Sequence, residues 1–145
     1  MIDLEKIKRR ILAGEEIEEI LKGVDWKEFE EFVANILEQH DFSSIIHFRF
    51  KTKRFYEIDV LAINEKTKEI LACECKWQAK VNAEKVVKEL AEKLSYVDWY
   101  KEKRKESFAI FAKSFSKKIK SCGGKKVYCF DLKDLQKILK KRTKF

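Results

Sequence analysis

Two short runs rich in β-branched and aromatic residues, FYEIDVLAI at 55–63 and ILACECK at 70–76, are joined by the polar segment NEKTKE. Runs of this length and composition on either side of a turn-forming connection predict an antiparallel hairpin. No other feature constrains the fold so tightly, because both runs carry ionisable residues where a strand buried on one face should carry few. Glu57 and Asp59 sit in the first run, Glu74 and Lys76 in the second. Side chains alternate along a strand, so Glu57 and Asp59 are expected on one side with Ile58 and Val60 on the other, and Glu74 and Lys76 opposite Cys73 and Cys75. In register near the open end of the hairpin, two carboxylates and an ammonium would converge. Half-buried acids side by side repel and lose hydration, which costs several kcal/mol unless something neutralises them. A divalent cation with oxygen ligands does so, and a nearby lysine balances the remaining charge.

The rest of the chain supplies elements around this hairpin. Leu4, Ile7, Ile11 and Leu12 recur at helical spacing, and Ile17, Ile20 and Leu21 do so again after Gly14. Asp25 with Glu28 three residues on is a capping-box pattern that opens a third helix, to about residue 40, with an apolar stripe of Trp26, Phe29, Phe32, Val33, Ile36 and Leu37. Around that helix Glu30 lies about 40° from Trp26 and borders the stripe, whereas Glu31 at about 140° faces away. Glu30 is therefore a third carboxylate able to point at the sheet.

IIHFRF (45–50) predicts a further strand, residues 83–100 a long helix with Val86, Val87, Leu90, Leu94 and Val97 on its apolar face, and SFAIFA (107–112) a buried strand. SKKIKSC (116–122) predicts a short helix ended by Gly123 and Gly124, KVYCF (126–130) a strand, and DLKDLQKILKK a final helix capped by Asp131. Strands that run consecutively and later alternate with helices predict an α/β fold of the α+β kind. Its centre would be a mixed sheet flanked by helices, with right-handed crossovers after the third strand.

With 145 residues the chain is expected to form one domain. Residues 1–24 would make an N-terminal helical extension, 25–139 the core and 140–145 a basic tail. Its 45% apolar and 40% charged content excludes a disordered chain. No apolar run spans a bilayer and MIDLEKIKRR lacks the core of a signal peptide, so a cytoplasmic protein without a membrane partner is expected. Lys and Glu richness leans toward a thermophile, while the absence of proline leans away.

Cys73, Cys75, Cys122 and Cys129 match no zinc-finger spacing, so reduced thiols are expected, with a disulfide at Cys122 or Cys129 as the thermophile alternative. The C-x-C pair around Glu74 also raises a thiolate metal or iron–sulfur site, but fits no cluster pattern, and the two side chains should point into apolar packing.

The net charge of +8 is unevenly spread: −5 over residues 1–50, +1 over 51–100 and +12 over 101–145. The last third thus predicts a basic face for a polyanion, or else a solvated lysine-rich surface. Lys101, Lys103, Arg104, Lys105, Lys117, Lys118 and Lys120, followed by Lys125, Lys126, Lys140, Lys141, Arg142 and Lys144, are the candidates for phosphate contacts. They carry no base-reading pattern.

Asp59, fourteen further residues, then Glu74-Cys75-Lys76, all preceded by a helix bearing Phe29-Glu30, resembles the PD-(D/E)XK nuclease superfamily. FEEFVANIL, EID, ECKW, the long helix, FAIFAKSFS and VYCFDLKDL resemble Mrr-like restriction endonucleases and archaeal Holliday junction resolvases. They are more similar still to the nuclease-like domain at the C-terminus of many archaeal ATPases. Together these stretches cover about residues 26–139.

The resemblance implies a restriction-endonuclease-like fold with an αβββαβ core and a Mg²⁺- or Mn²⁺-dependent endonuclease acting on DNA. It implies Asp59, Glu74 and the backbone carbonyl of Cys75 as metal ligands, with Glu30 a further ligand or acting through water. Lys76 would orient or deprotonate the attacking water or stabilise developing charge, and Glu57 and Gln78 would be auxiliary. Cutting both strands with one site per chain would call for a homodimer, although no interface is visible in the sequence.

Departures from the pattern are few. Ile58 stands where the motif name has proline, the glutamine-tyrosine helix motif of RecB-type members is missing, and no G-x-x-x-x-G-K-[ST] occurs. A stand-alone module is therefore expected. The rival to an enzyme is a catalytically silent DNA-binding module, which the intact Asp59, Glu74 and Lys76 set disfavours. An exposed cross-strand salt bridge is the plain alternative for those three residues. Trp77 reads as packing, and His40 and His47 as ordinary residues without a zinc-site partner.

Overall fold

The Asp3 carboxylate accepts from the Lys6 backbone N–H (3.2 Å) and starts α1 (Leu4–Leu12), after which α2 (Ile17–Ile20) and α3 (Trp26–Glu38) follow. The reciprocal cap expected at α3 forms: Glu28 N–H donates to Asp25 at 2.8 Å and Asp25 N–H to Glu28 at 3.4 Å. Phe29, Phe32, Val33, Ile36 and Leu37 are buried, while Trp26, at the stripe's edge, is exposed. The structure, a computed structural model, describes residues 3–141, so Arg142 and Lys144 of the expected basic tail lie outside the described residues.

Strands β1 (Ser44–Lys51), β2 (Phe55–Asn64) and β3 (Glu69–Lys76) form consecutive antiparallel pairs, the second of them the expected hairpin. Short β4 (Val81–Asn82) leads into α4 (Ala83–Leu94) and β5 (Lys105–Ala112), which pairs parallel with β3. Then come β6 (Phe115–Lys117), β7 (Ser121–Cys122), β8 (Lys125–Phe130) and α5 (Leu132–Lys141). The main sheet runs β1-β2-β3-β5-β8-β7 and is mixed; β4 and β6 make a separate parallel pair. Asp131 and Asp134 cap α5 reciprocally, each N–H donating to the other's carboxylate at 2.9 Å.

Both faces of the sheet are covered, which is why its central strands read as apolar runs rather than as alternating ones. One face packs Val60, Ala62, Leu71, Cys73, Ala109 and Phe111 against α1, α2, α3 and α5; the other packs Ile58, Leu61, Ile70, Ala72, Phe108 and Ile110 against α4. Each fully buried Phe, Leu or Ile contributes about 1.5–3 kcal/mol. Together the two layers fix the strand order that brings the charged ends of β2 and β3 together.

Two expected elements differ. The helix expected over residues 83–100 stops at Leu94, because Arg104 takes the carbonyls that a longer helix would use. Its guanidinium, 1% exposed, donates to the carbonyls of Leu94 (3.0 Å), Val97 (2.6 Å) and Trp99 (3.0 Å) and pairs with Glu106 at 2.8 Å. The helix expected over 116–122 is instead β6 and β7. Gly123 and Gly124, at φ +57° and +77°, do not end a helix but make the two-residue turn that folds β7 onto β8 with Cys122 opposite Lys125. A turn of that kind needs positive φ at both central positions, which glycine adopts without steric cost.

Candidate active site

Asp59 owes its position to an irregularity in β2. Ile46 pairs with Leu61 but Phe48 pairs with Ile58, so Asp59 and Val60 together face the single residue His47, as in a β-bulge. The extra residue sends Ile58 to the α4 side with Leu61 and Val60 to the α3 side with Ala62. The expectation that Ile58 and Val60 share a face is thereby corrected. His47 Nδ1 lies 3.0 Å from the Asp59 carbonyl oxygen and holds the bulged backbone.

Pairing of β2 with β3 runs from Asn64–Glu69 only as far as Val60–Cys73. Beyond it the Asp59 carboxylate reaches into the gap, where its Oδ2 accepts the Cys75 N–H at 2.8 Å. On β3, Glu74 follows Ile70 and Ala72 onto the α4 side, and Lys93 of α4 meets its Oε2 at 3.1 Å. Asp59 and Glu74 thus come from different faces and meet where the strands part. Their carboxyl groups lie close enough to shift each other's titration, and Glu30 of α3 acts on Asp59 as well.

The three acids line one cleft of about 590 Å³ together with Glu57, Cys75 and Lys76. Trp26, Trp77 and Gln78 complete its mouth. Glu57 is held by Arg49 (3.2 Å) and lies 3.7 Å from His47 Nε2. Lys76 is half-buried in the wall, and its carbonyl accepts from Gln78 N–H at 2.7 Å. Trp77 is packing, as expected: it lies 4.5 Å from Phe29 between ring centroids and donates Nε1–H to the Val24 carbonyl at 2.6 Å.

Burial pushes the Asp59 carboxyl up to about 6, with Glu30 adding to the shift and the Cys75 N–H opposing it. Burial and then Asp59 push Glu74 up to about 7, partly offset by Lys93. These values belong to the interacting pair rather than to either acid alone. Burial raises both acids, and among the described residues Lys93 is the ammonium paired with them. Among the described residues no three His, Cys, Asp or Glu side chains meet as a ready-made metal cage. The donor set is two hard carboxylates with a third at the edge, which fits a cation that keeps several of its waters, as Mg²⁺ does.

Cys73 and Cys75 sit in the α3-side packing as free thiols, and burial raises both well above the ordinary thiol value. They are poor thiolate ligands in this state. Cys122 and Cys129 are free as well.

The structure redistributes the predicted basic face. Lys105 pairs with Glu69 at the start of β3, five residues or about 16 Å from Glu74, so Lys101, Lys103, Arg104 and Lys105 belong to the far end of the sheet. Arg104 is buried on carbonyls and is not available to a ligand. Lys118 pairs with Asp131 (3.2 Å) and Asp134 (2.5 Å), whereas Lys117 and Lys120 are exposed. Near the cleft the cations are Lys76, Lys93 and Lys113, the last with Nζ 4.5 Å over the Trp77 ring.

Lys93 went unread in the sequence although the signal was there. Counted from Val86, Leu90 lies at about 40° and Lys93 at about 340°, inside the apolar stripe of α4. A lysine there must reach an anion or snorkel to water. With the geometry in view, a family model described as restriction endonuclease, Mrr_cat, matches residues 21–139. No curated protein and no solved structure matches the chain.

Proposed function

The chain belongs to the Mrr_cat restriction endonuclease family, and from that premise we propose that it is a metal-dependent endonuclease hydrolysing DNA phosphodiester bonds in the cleft between β2, β3 and α3. The mixed sheet flanked by helices is consistent with the restriction-endonuclease-like fold of the PD-(D/E)XK superfamily. The observation that carries the proposal is the pair of raised carboxylates, buried Glu74 and half-buried Asp59, in an open cleft with Lys76. Burying two interacting acids without function is costly, and a salt bridge on a solvated surface would not raise their pKa values.

Asp59, Glu74 and the Cys75 carbonyl would hold one Mg²⁺ or Mn²⁺, with Glu30 contributing from the edge through water. The bound cation would polarise the phosphate and lower the pKa of a coordinated water. Lys93 orients the Glu74 carboxylate and favours its charged form. Lys76, on the cleft wall, would donate to a phosphate oxygen and balance the charge that grows as the water oxygen bonds to phosphorus and the ester oxygen leaves. Glu57, held by Arg49, and Gln78 at the mouth would border the substrate strand.

The test is incubation of supercoiled plasmid, linear duplex, single-stranded and four-way-junction DNA with Mg²⁺ or Mn²⁺. EDTA should abolish cleavage, and Lys76→Ala should slow it by about a hundredfold or more. Cleavage that survives Lys76→Ala at full rate would refute this site. No cleavage of any substrate with DNA binding intact would favour the silent DNA-binding module.

A second expected result concerns the residue the sequence reading passed over. Lys93→Ala should slow cleavage about 10- to 100-fold by leaving Glu74 without its ammonium, and Lys93→Arg should restore part of the rate. Single-turnover rates at saturating metal would decide it; an unchanged rate would mean that the Lys93–Glu74 contact is structural only.

A further inference from the structure

Beyond the bulge, the outer half of the β1–β2 hairpin carries a cluster of rings on its α4 side that the core does not use. Phe50 and Tyr56 stack at 5.0 Å with their planes 8° apart, and Tyr96, just past the end of α4, lies 4.8 Å from Phe50 and 5.2 Å from Tyr56. Arg54 donates to the Tyr56 hydroxyl at 2.8 Å and lies 4.8 Å over its ring. Tyr96 is 45% exposed, a large aromatic surface to leave in water, whereas the Phe55 ring lies on the opposite face of the ribbon under the Arg49 guanidinium.

Below these rings opens a cleft of about 320 Å³ lined by Arg54, Phe55, Tyr56, Glu89, Glu92 and Lys93. Lys93 is also the residue that pairs with Glu74, so this cleft adjoins the proposed hydrolytic site. Arg49, Lys51, Lys53 and Arg54 surround the hairpin tip and are all exposed. Their charge suits a phosphate backbone, whereas Glu89 and Glu92 inside the cleft repel phosphate and instead accept hydrogen bonds from the amino and ring N–H groups of a base.

We propose that this platform binds an unpaired nucleotide of a DNA strand, its base stacked on Tyr96 with its donor edge toward Glu89 and Glu92, and its backbone running along the basic tip toward Asp59 and Glu74. The proposal rests on the nuclease reading for what happens next to the platform, and narrows the substrate to DNA with single-stranded nucleotides beside the scissile bond. Bases within an intact duplex present only their edges and cannot stack on a side chain without leaving the helix.

The experiment is fluorescence anisotropy in EDTA with three labelled 12-nucleotide probes: a mixed-sequence single strand, the same strand with abasic sites throughout its centre, and the blunt duplex. The single strand should bind at least about tenfold tighter than the abasic strand, which has the same charge without the bases, and tighter than the duplex. Tyr96→Ala should erase most of that discrimination, while Tyr96→Phe, which keeps the ring, should preserve it, and Phe55→Ala, on the opposite face of the ribbon, should leave it in place. Tyr96 is half-exposed, and circular dichroism checks that each variant is folded. Equal affinity for normal and abasic strands, or discrimination that survives Tyr96→Ala, would overturn the proposal. Because no metal is present, a failure of the nuclease reading shows separately, as absent cleavage in Mg²⁺ with this binding pattern intact.

Discussion

Asp59→Asn is expected to lower cleavage by at least about a thousandfold while making the metal-free protein more stable at pH 8. The first effect follows from removing one of two carboxylates that would hold the cation, a loss of about 4 kcal/mol of transition-state stabilisation. The second follows from burial. Asparagine still accepts the Cys75 N–H but carries no charge, and so removes the cost of an ionised acid that the wild-type fold holds near Glu74 and Glu30. A folded carboxyl raised from 3.8 to about 6 corresponds to roughly 2–3 kcal/mol. In a chain of this size that is about 5–8 °C in Tm.

The sign can be checked by titration. Below about pH 3 the acid is protonated in both states and costs nothing. As pH rises the unfolded carboxyl ionises first, so wild-type stability falls until the folded pair has titrated at about 6 to 7, and is level above that. The Asn variant should lose less over that window, and Mg²⁺ should raise the Tm of the wild type at pH 8 more than that of the variant. Calorimetry across pH 4–8 reads all of this. A variant with unchanged Tm would mean that Asp59 is solvated, and one with unchanged cleavage would remove Asp59 from the site.

Arg104→Ala should cost about 3–5 kcal/mol of stability and leave the cleft chemistry untouched in whatever fraction remains folded. Truncation takes the guanidinium from the carbonyls of Val97 and Trp99, leaves Leu94 with the Val97 N–H alone, and removes one of two cations from Glu106, the other being Lys125. Although burial pushes Glu106 upward, its hydrogen bonds to Lys125 and Arg104 outweigh this and hold its carboxyl below the ordinary value. An acid lowered in the folded state adds stability above its unfolded pKa and loses it as pH falls, so the wild type should surrender part of this network on acidification and the variant much less. Arg104→Lys should recover under half of the loss, since one ammonium cannot span three carbonyls. Urea denaturation at pH 7 measures the difference. A variant of normal stability but weakened DNA binding would return Arg104 to the ligand surface that its charge first suggested.

How legible the protein was in its sequence depended on how local each signal is. The capping boxes at Asp25 and Asp131, the β2–β3 hairpin and the apolar β5 are set by neighbours within a few residues, and they lie where the patterns put them. Glu30 was readable because a helix has a fixed period, and Lys93 would have been by the same geometry. The bulge at Asp59 and Val60 was not, because alternation assumes an unbroken pleat and no glycine marks the slip. Lys101, Lys103, Arg104 and Lys105 lie away from the cleft for a topological reason. Charge counted along the chain ignores that parallel pairing of β3 with β5 starts the returning strand at the end of the sheet away from Glu74.

The slip at His47 also separates the two halves of the β1–β2 ribbon. Outward of it the alternation restarts, with Phe50 and Tyr56 on one face and Lys51 and Phe55 on the other. Residues 49–56 can therefore be recomposed, or swapped for the corresponding tip of a relative, while Phe48, packed on the core, and Glu57, in the cleft wall, are kept. Chimaeras exchanged at that joint should fold as their parents do and inherit the ligand preference of the donor tip.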